Sequence, residues 1–242
     1  MIKTQDINEN DKLIWLFTEK LGKVTAVARG AKKGKSKFLV PSLLFSYGEY
    51  VLYRGKSLFT INECQVIESF QGLLKDIEHI TYASYLCELI HISMQDEESN
   101  GSLFVYLISA FYFMKNDVVD IEILARCFEV KLLEATGFSL NLDYCASCRK
   151  KIDSSDYISI QSGGGICNNC ERIDGIKVSY AAFNALRFLT KMPLENICRV
   201  KLSQNVKMEL YKILSIIISQ NYFKKPKSLE TLNYIRGVSE NE

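Results

Sequence analysis

The sequence predicts an α+β protein: a small N-terminal β-barrel, then a mainly helical domain interrupted by a cysteine-bearing insert. Three observations carry this. Residues 1–70 alternate apolar and polar residues in short runs separated by glycine turns. From about residue 72 the apolar period lengthens to that of a helix. Between about 144 and 173 two C-x2-C pairs break that period, which then resumes. The expected domains are therefore 1–70 and 71–242, the second containing the insert at about 144–173.

Within the first domain, "DKLIWLFTEK" reads as a strand, "GK" as a turn and "VTAVA" as a returning β-branched strand. "GEYVLYRGKSLFTINECQVIES" reads as a hairpin with its turn at "RGKS" (54–57). Several short strands in so little chain suggest closure into a small barrel, for which the five-stranded oligonucleotide-binding (OB) type is one option.

In the second domain, "LLKDIEHITYASYLCELIHISM" places Ile77, Ile80, Tyr85, Leu86, Leu89 and Ile92 near one helical stripe. "SLFVYLISAFYFMK" is apolar nearly all round and is expected to be a central core helix. "DIEILARCFEVKLLEATGF" follows, with Gly137 placed for a C-terminal cap. Beyond the insert, Ser179 and Ser203 can cap the last two helices. The two histidines, His79 and His91, lie on an apolar helix and read as packed or surface residues rather than ligands.

At 48% hydrophobic and 24% charged residues, the composition is that of an ordinary globular chain. No apolar run approaches the 18 or more residues a membrane span requires. The N-terminus is polar and has no signal-peptide core, so a cytoplasmic location is expected. In that reducing compartment the eight cysteines are not a disulfide framework. Cys64, Cys87, Cys127 and Cys198 stand alone, mostly among apolar neighbours, and read as small buried hydrophobes.

The remaining four form Cys145-x2-Cys148 and Cys167-x2-Cys170, with 18 residues between the pairs. Each C-x2-C turn points two thiolates at one centre, and a second turn at this distance completes a tetrahedron. "YISI" (157–160) reads as a short strand and "GGG" (163–165) as a tight turn between them. The expected cofactor is one structural Zn2+, with an iron–sulfur cluster as the alternative. Four thiolates leave no open position for catalytic water. A thioredoxin-like redox role would need a βαβ frame that the pattern lacks.

Net charge is only +2, yet Lys20, Lys23, Arg29, Lys32, Lys33, Lys35 and Lys37 fall in one acid-free stretch. Its "GAKKGKS" superficially resembles a nucleotide phosphate loop. That loop needs four residues between its glycines and a helix after it. Gly30 and Gly34 enclose three, Arg29 stands where the first glycine belongs, and Pro41 follows in a strand-like context. An ATP site is therefore rejected. A cationic loop on a small barrel instead suits the phosphates of nucleic acid. Tyr47, Tyr50, Tyr53 and Phe59 are candidate stacking faces, and "YFKKPKS" (222–228) adds further lysines.

In order, "ENDKLIWLFTEKLGKVTAVARGAKKGKS", "LLEATGF" with the two cysteine pairs and "GGGICNNC", and the terminal helix with "KPKS" resemble the bacterial recombination mediator family RecO. The resemblance covers nearly the whole chain. It implies an OB barrel, a helical domain and a zinc module. It also implies binding of single- and double-stranded DNA, annealing of complementary strands, and loading of RecA with RecR on DNA coated by single-strand-binding protein (SSB). The family's DNA-binding cations map to Lys23, Arg29, Lys32, Lys33, Lys35 and Lys37, and its metal ligands to Cys145, Cys148, Cys167 and Cys170. The family docks the acidic, apolar C-terminal tail of SSB on its helical domain, in a groove expected near cations such as Arg126 or Lys131. Relative to the family, the chain starts almost at its first strand block, so the first strand is expected to be short or truncated.

No enzyme activity, small-molecule substrate or membrane is expected, because no carboxylate cluster suggests metal-dependent hydrolysis. The alternative is a zinc-containing protein-binding adaptor without direct DNA contact.

Overall fold

A computed structural model describes residues 1–222, 226–228 and 231–232. The chain forms two compact units, Met1–Asn116 with Pro226–Glu242, and Asp117–Lys225. The expected boundary at 70/71 marks the end of the sheet, whereas the units divide at 116/117. Lys224 and Lys225 of the basic C-terminal stretch lie outside the described residues.

The first unit is built on a five-stranded sheet: β1 (Lys3–Asp6), β2 (Lys12–Thr18), β3 (Gly22–Ala28), β4 (Tyr47–Arg54) and β5 (Phe59–Glu68). Its order is β1-β2-β3-β5-β4. β3 runs parallel to β5 through Ala26↔Phe59 and Val27↔Thr60, and the other neighbours are antiparallel. The order ends at β1 and β4, and no ladder between these two closes a barrel among the described residues. β1 is short, with four residues paired to β2.

Alternation does what the sequence predicts. Ile14 and Leu16 of β2, Val24, Ala26 and Ala28 of β3, and Phe59 and Ile61 of β5 turn one face into a core. The β2–β3 turn requires a glycine twice over: Gly22 has φ +66, and a Cβ there would stand 2.0 Å from the Glu98 carbonyl oxygen.

Two helices complete this unit, α1 (Ile77–Ser93) and α2 (Gly101–Lys115). Asp76 caps α1 and Asn100 caps α2, each accepting backbone N–H groups of the first turn. The α1 stripe is broader than expected and begins later: Ile77 is exposed, whereas Thr81, Tyr82 and Ala83 are buried. α2 is not the central helix. It buries Leu103, Leu107, Ala110, Phe111 and Met114, one helical face, and leaves Val105 outside.

The centrally buried helix is α3 (Ile121–Ala135) of the second unit, where every residue from Ile123 to Leu133 is buried. Two further helices, α4 (Tyr180–Lys191) and α5 (Gln204–Tyr222), pack against it. Gly137 ends α3 as predicted: at φ +84 its N–H reaches the Glu134 carbonyl, and the Phe138 N–H reaches Leu133. Ser179 caps α4 through its hydroxyl, and the Ser203 carbonyl accepts the Lys207 N–H at the start of α5.

The insert between α3 and α4 carries a small sheet, β7-β6-β8, made of β6 (Tyr157–Ser159), β7 (Gly164–Gly165) and β8 (Gly175–Lys177). Of the expected glycine turn, only Gly163 turns; the next two glycines form the strand. They must be glycine, since a Cβ on Gly165 would meet Ile152 and Phe183 at 2.8 Å.

Candidate nucleic-acid interface and metal centre

The basic segment is not strand but a succession of tight turns from residue 29 to 46, closed by Lys33 N–H to Gly30, Ser36 N–H to Lys33 and Leu39 N–H to Ser36. Two apolar residues fix its ends. Ala31 and Phe38 are buried in the core of the sheet. Between them the chain has no apolar side chain to bury, so Lys32, Lys33, Lys35 and Lys37 all project outward, as does Arg29 just before. Asp11 fastens the base of the loop by accepting the Gly30 N–H at 2.7 Å, and this bond holds its carboxyl below the usual range.

The cations are not equivalent. Lys32 is paired with Asp6 at 2.8 Å. The Lys37 ammonium donates to the Asn62 carbonyl at 3.2 Å and lies 5.0 Å from the Phe38 ring. Arg29 and Lys33 line a shallow cavity of about 590 Å³ with residues 8–11. Lys23 is set apart: it is buried, donating to the His91 carbonyl at 2.9 Å and facing Asp96 at 3.3 Å. It braces the segment after α1 rather than facing solvent. That role was invisible in sequence because it depends on residues some 70 positions away.

Among the aromatic candidates, Phe59 is buried, Tyr47 packs on Phe104, and Tyr50 donates to the Pro41 carbonyl at 2.8 Å. Burial raises the Tyr50 phenol well above its ordinary value. Tyr53 alone presents a free face, 72% exposed.

The second constellation lies in the insert. Two knuckles bring Cys145, Cys148, Cys167 and Cys170 together, with all four sulfur atoms within 4.8 Å of one another. Cys148 Sγ and Cys167 Sγ are 3.8 Å apart. Thiolates held about 2.3 Å from one tetrahedral centre would stand about 3.8 Å apart. The donor set therefore fits a single metal ion.

Burial by itself would raise the Cys145 thiol. N–H groups of Cys148, Cys167 and Ser147 overcome this and bring it to about 6. A Ser147 contact lowers Cys170, but the other thiols crowded around it push it up to about 12. A bound cation would hold all four deprotonated.

Of the isolated cysteines, Cys87 and Cys127 are buried, and burial pushes their thiols up to about 12 and 11. Cys64 is only half-buried, packed against the sheet core from β5, and Cys198 is exposed in a surface turn, contrary to expectation. His79 bonds the capping Asp76, and His91 Nε2 accepts from the Lys3 ammonium at 3.1 Å beside Trp15.

A groove of about 750 Å³ runs along α4 and the turn after it. Phe188, Met192 and Leu202 line it together with Lys191, Arg199 and Lys201. From the sequence, such a groove is expected near Arg126 or Lys131. Arg126 is fully buried against Glu129 and Tyr211, and Lys131 is spent on Glu134 and the Thr190 carbonyl. The available signal was "KMP" ending an amphipathic helix, followed by "CRVKL".

A sheet unit with an anchored cationic loop and a helical unit with four converging thiols define a two-part α+β protein with a candidate metal centre. Residues 1–70 match the family model Recombination protein O N terminal, and residues 74–230 match Recombination protein O C terminal. The chain is 54% identical over 242 residues to the DNA repair protein RecO of Clostridium novyi, covering all of this chain and 94% of that one. It is 52% identical to that of Clostridium kluyveri with the same coverage, and 32% identical to that of Alkaliphilus metalliredigens over 88% of each chain. The chain belongs to the RecO family.

Proposed function

We propose that this chain is a cytoplasmic, non-enzymatic mediator of recombinational DNA repair. It binds single- and double-stranded DNA, anneals complementary strands, and with RecR helps to load RecA on SSB-coated DNA. Family membership supports this role, and one observation carries the DNA contact: a loop anchored by Ala31 and Phe38 that projects Lys32, Lys33, Lys35 and Lys37. Arg29 completes the phosphate-binding set, while Lys23 supports it from beneath. The strand order supports an OB barrel, since only a β1–β4 seam is needed for closure.

The metal is one structural Zn2+. Four sulfur donors suit it, and a closed shell gives it a folding role with no chemistry of its own. Cys145, Cys148, Cys167 and Cys170 would hold it. The groove along α4 fits the acidic, apolar SSB tail: its apolar floor accepts side chains, and Arg199 and Lys201 face the carboxylates.

A salt-series titration of labelled single-stranded DNA tests the reading. Neutralising about five phosphates gives a slope near −3.5, hence roughly 100-fold weaker binding between 50 and 200 mM salt. Changing Lys32, Lys33 and Lys35 to Glu should abolish binding above low salt, and unchanged binding would remove the loop from the interface. The groove favours a second reading, a protein-binding adaptor without DNA contact. That reading gains if the wild-type chain fails to shift DNA at low salt yet retains an SSB-tail peptide.

A further inference from the structure

We propose that the tip of the first cysteine knuckle is a second contact for single-stranded nucleic acid, made by Arg149, Lys150, Lys151 and Tyr144. The inference rests on the DNA-binding reading above and extends it to the metal module. The three cations follow Cys148 directly and all are exposed. Among the described residues none of the three makes an ion pair, whereas Lys191 is paired with Asp143 and Arg172 with Asp156. The second knuckle, with Glu171 before Arg172, carries no such excess. The positive charge is thus confined to one tip of the module.

The backbone makes that tip rigid. Cys145 N–H donates to the Lys150 carbonyl at 2.8 Å, and Arg149 N–H to the Cys145 carbonyl at 2.9 Å. Tyr144 and Lys151 stand opposite one another across an antiparallel bridge. Tyr144 therefore places an exposed ring, 49% accessible, next to an unpaired ammonium. Arg149 has φ +62, a conformation glycine adopts without strain. The turn gives no reason for an arginine there, so the charge needs another explanation.

Phosphodiesters satisfy such cations one by one, and a base stacks on the adjacent ring. An acidic protein surface could also neutralise the lysines, but the exposed ring beside them favours a base.

Fluorescence anisotropy of a labelled oligonucleotide with the full chain, across a salt series, tests this. Changing Arg149, Lys150 and Lys151 together to Glu should weaken binding at least tenfold and make the slope shallower by about 2, three phosphates at about 0.7 each. Arg149→Gly separates recognition from folding: the knuckle should melt no earlier than wild type, yet the slope should drop by about 0.7. Tyr144→Ala should lower single-strand affinity and leave the slope unchanged. Metal content should remain one equivalent in each variant.

Wild-type affinity and slope in the knuckle variants, with binding lost in the Lys32/Lys33/Lys35 reversal, would overturn the inference and leave the DNA-binding reading intact. Failure of the wild-type chain to bind DNA at low salt would overturn that reading itself. Unaltered DNA binding with loss of an acidic protein partner would assign the tip to protein and equally overturn the inference.

Discussion

The carboxylate of Asp6, at the end of β1, holds the ammonium of Lys32 at 2.8 Å across the mouth of the basic loop. The pair is largely exposed, so it adds little stability. Its effect is on ligand binding, because a phosphate must displace or share that carboxylate. Asp6→Asn should raise single-strand affinity a few-fold at about 0.1 M salt and steepen the salt slope by up to about 0.7, one phosphate's share. Lys32 and then Lys12 hold the Asp6 carboxyl below its ordinary value. It is thus ionised throughout pH 5–8, and the gain from Asp6→Asn should be constant there. Release of Lys32 by protonation requires pH below the ordinary carboxylate range. A gain that varied strongly between pH 6 and 8 would show that another group controls the loop.

Lys23 and Lys33 should behave as opposites although both lie in the basic stretch. Lys23 is buried on the His91 carbonyl and beside Asp96, so Lys23→Ala removes a donor from a part-buried carbonyl together with the packing of the side chain's stem. It should cost about 2 kcal/mol in urea unfolding, with DNA affinity nearly unchanged at temperatures where the variant is folded. Lys33 is exposed beside the cavity it shares with Arg29. Lys33→Ala should leave stability within about 0.5 kcal/mol and reduce the salt slope by about 0.7. Equal effects of the two substitutions on binding would return Lys23 to the interface.

The glycines of the same region divide in the same way. Gly22 combines φ +66 with a backbone oxygen at 2.0 Å from any added Cβ, on the segment that Lys23 braces. Gly22→Ala should cost more than the roughly 1–2 kcal/mol of left-handed backbone strain, because the Glu98 segment must also move. Gly34, inside the cationic loop, has open space around its Cβ position and no positive φ. Gly34→Ala should be neutral or stabilising by up to about 1 kcal/mol. Thermal melts of the two variants check both, and a destabilised Gly34→Ala would mean the loop is more tightly constrained than its turns indicate.

These contrasts show which parts of the molecule were legible in sequence. The cysteine pairs were, because a C-x2-C turn is local and its spacing alone aims two sulfurs. Strands β2 and β3 were, because a period-two pattern survives without knowledge of partners. The loop's charge was legible, but its anchoring was not: nothing local marks Ala31 and Phe38 as core residues. Lys23 and Arg126 were misread for one physical reason. A cation is scored as outward-facing unless its partner is known, and the partners here come from folding. α2 and α3 were exchanged in rank for the same cause, since α3 carries Arg126, Glu129 and Lys131 through its buried stretch.

That buried stretch yields the last prediction. Arg126 Nη2 and Glu129 Oε1 lie 2.5 Å apart, each side chain 1% exposed, and the guanidinium lies 4.8 Å from the Tyr211 ring of α5. The two charges are one turn apart on α3, so the helix itself sets their contact. Removing one takes from the other its nearest opposite charge in a fully buried place, which costs about 3–5 kcal/mol. Removing both in favour of apolar groups of similar size avoids that penalty. Arg126→Met and Glu129→Leu should therefore each destabilise strongly in urea, while the double variant recovers most of the loss. The coupling should be several times the 0.2–1 kcal/mol or so of an exposed pair. Single variants that cost under about 1 kcal/mol would show that water reaches the pair and that α3 is less enclosed than its burial indicates.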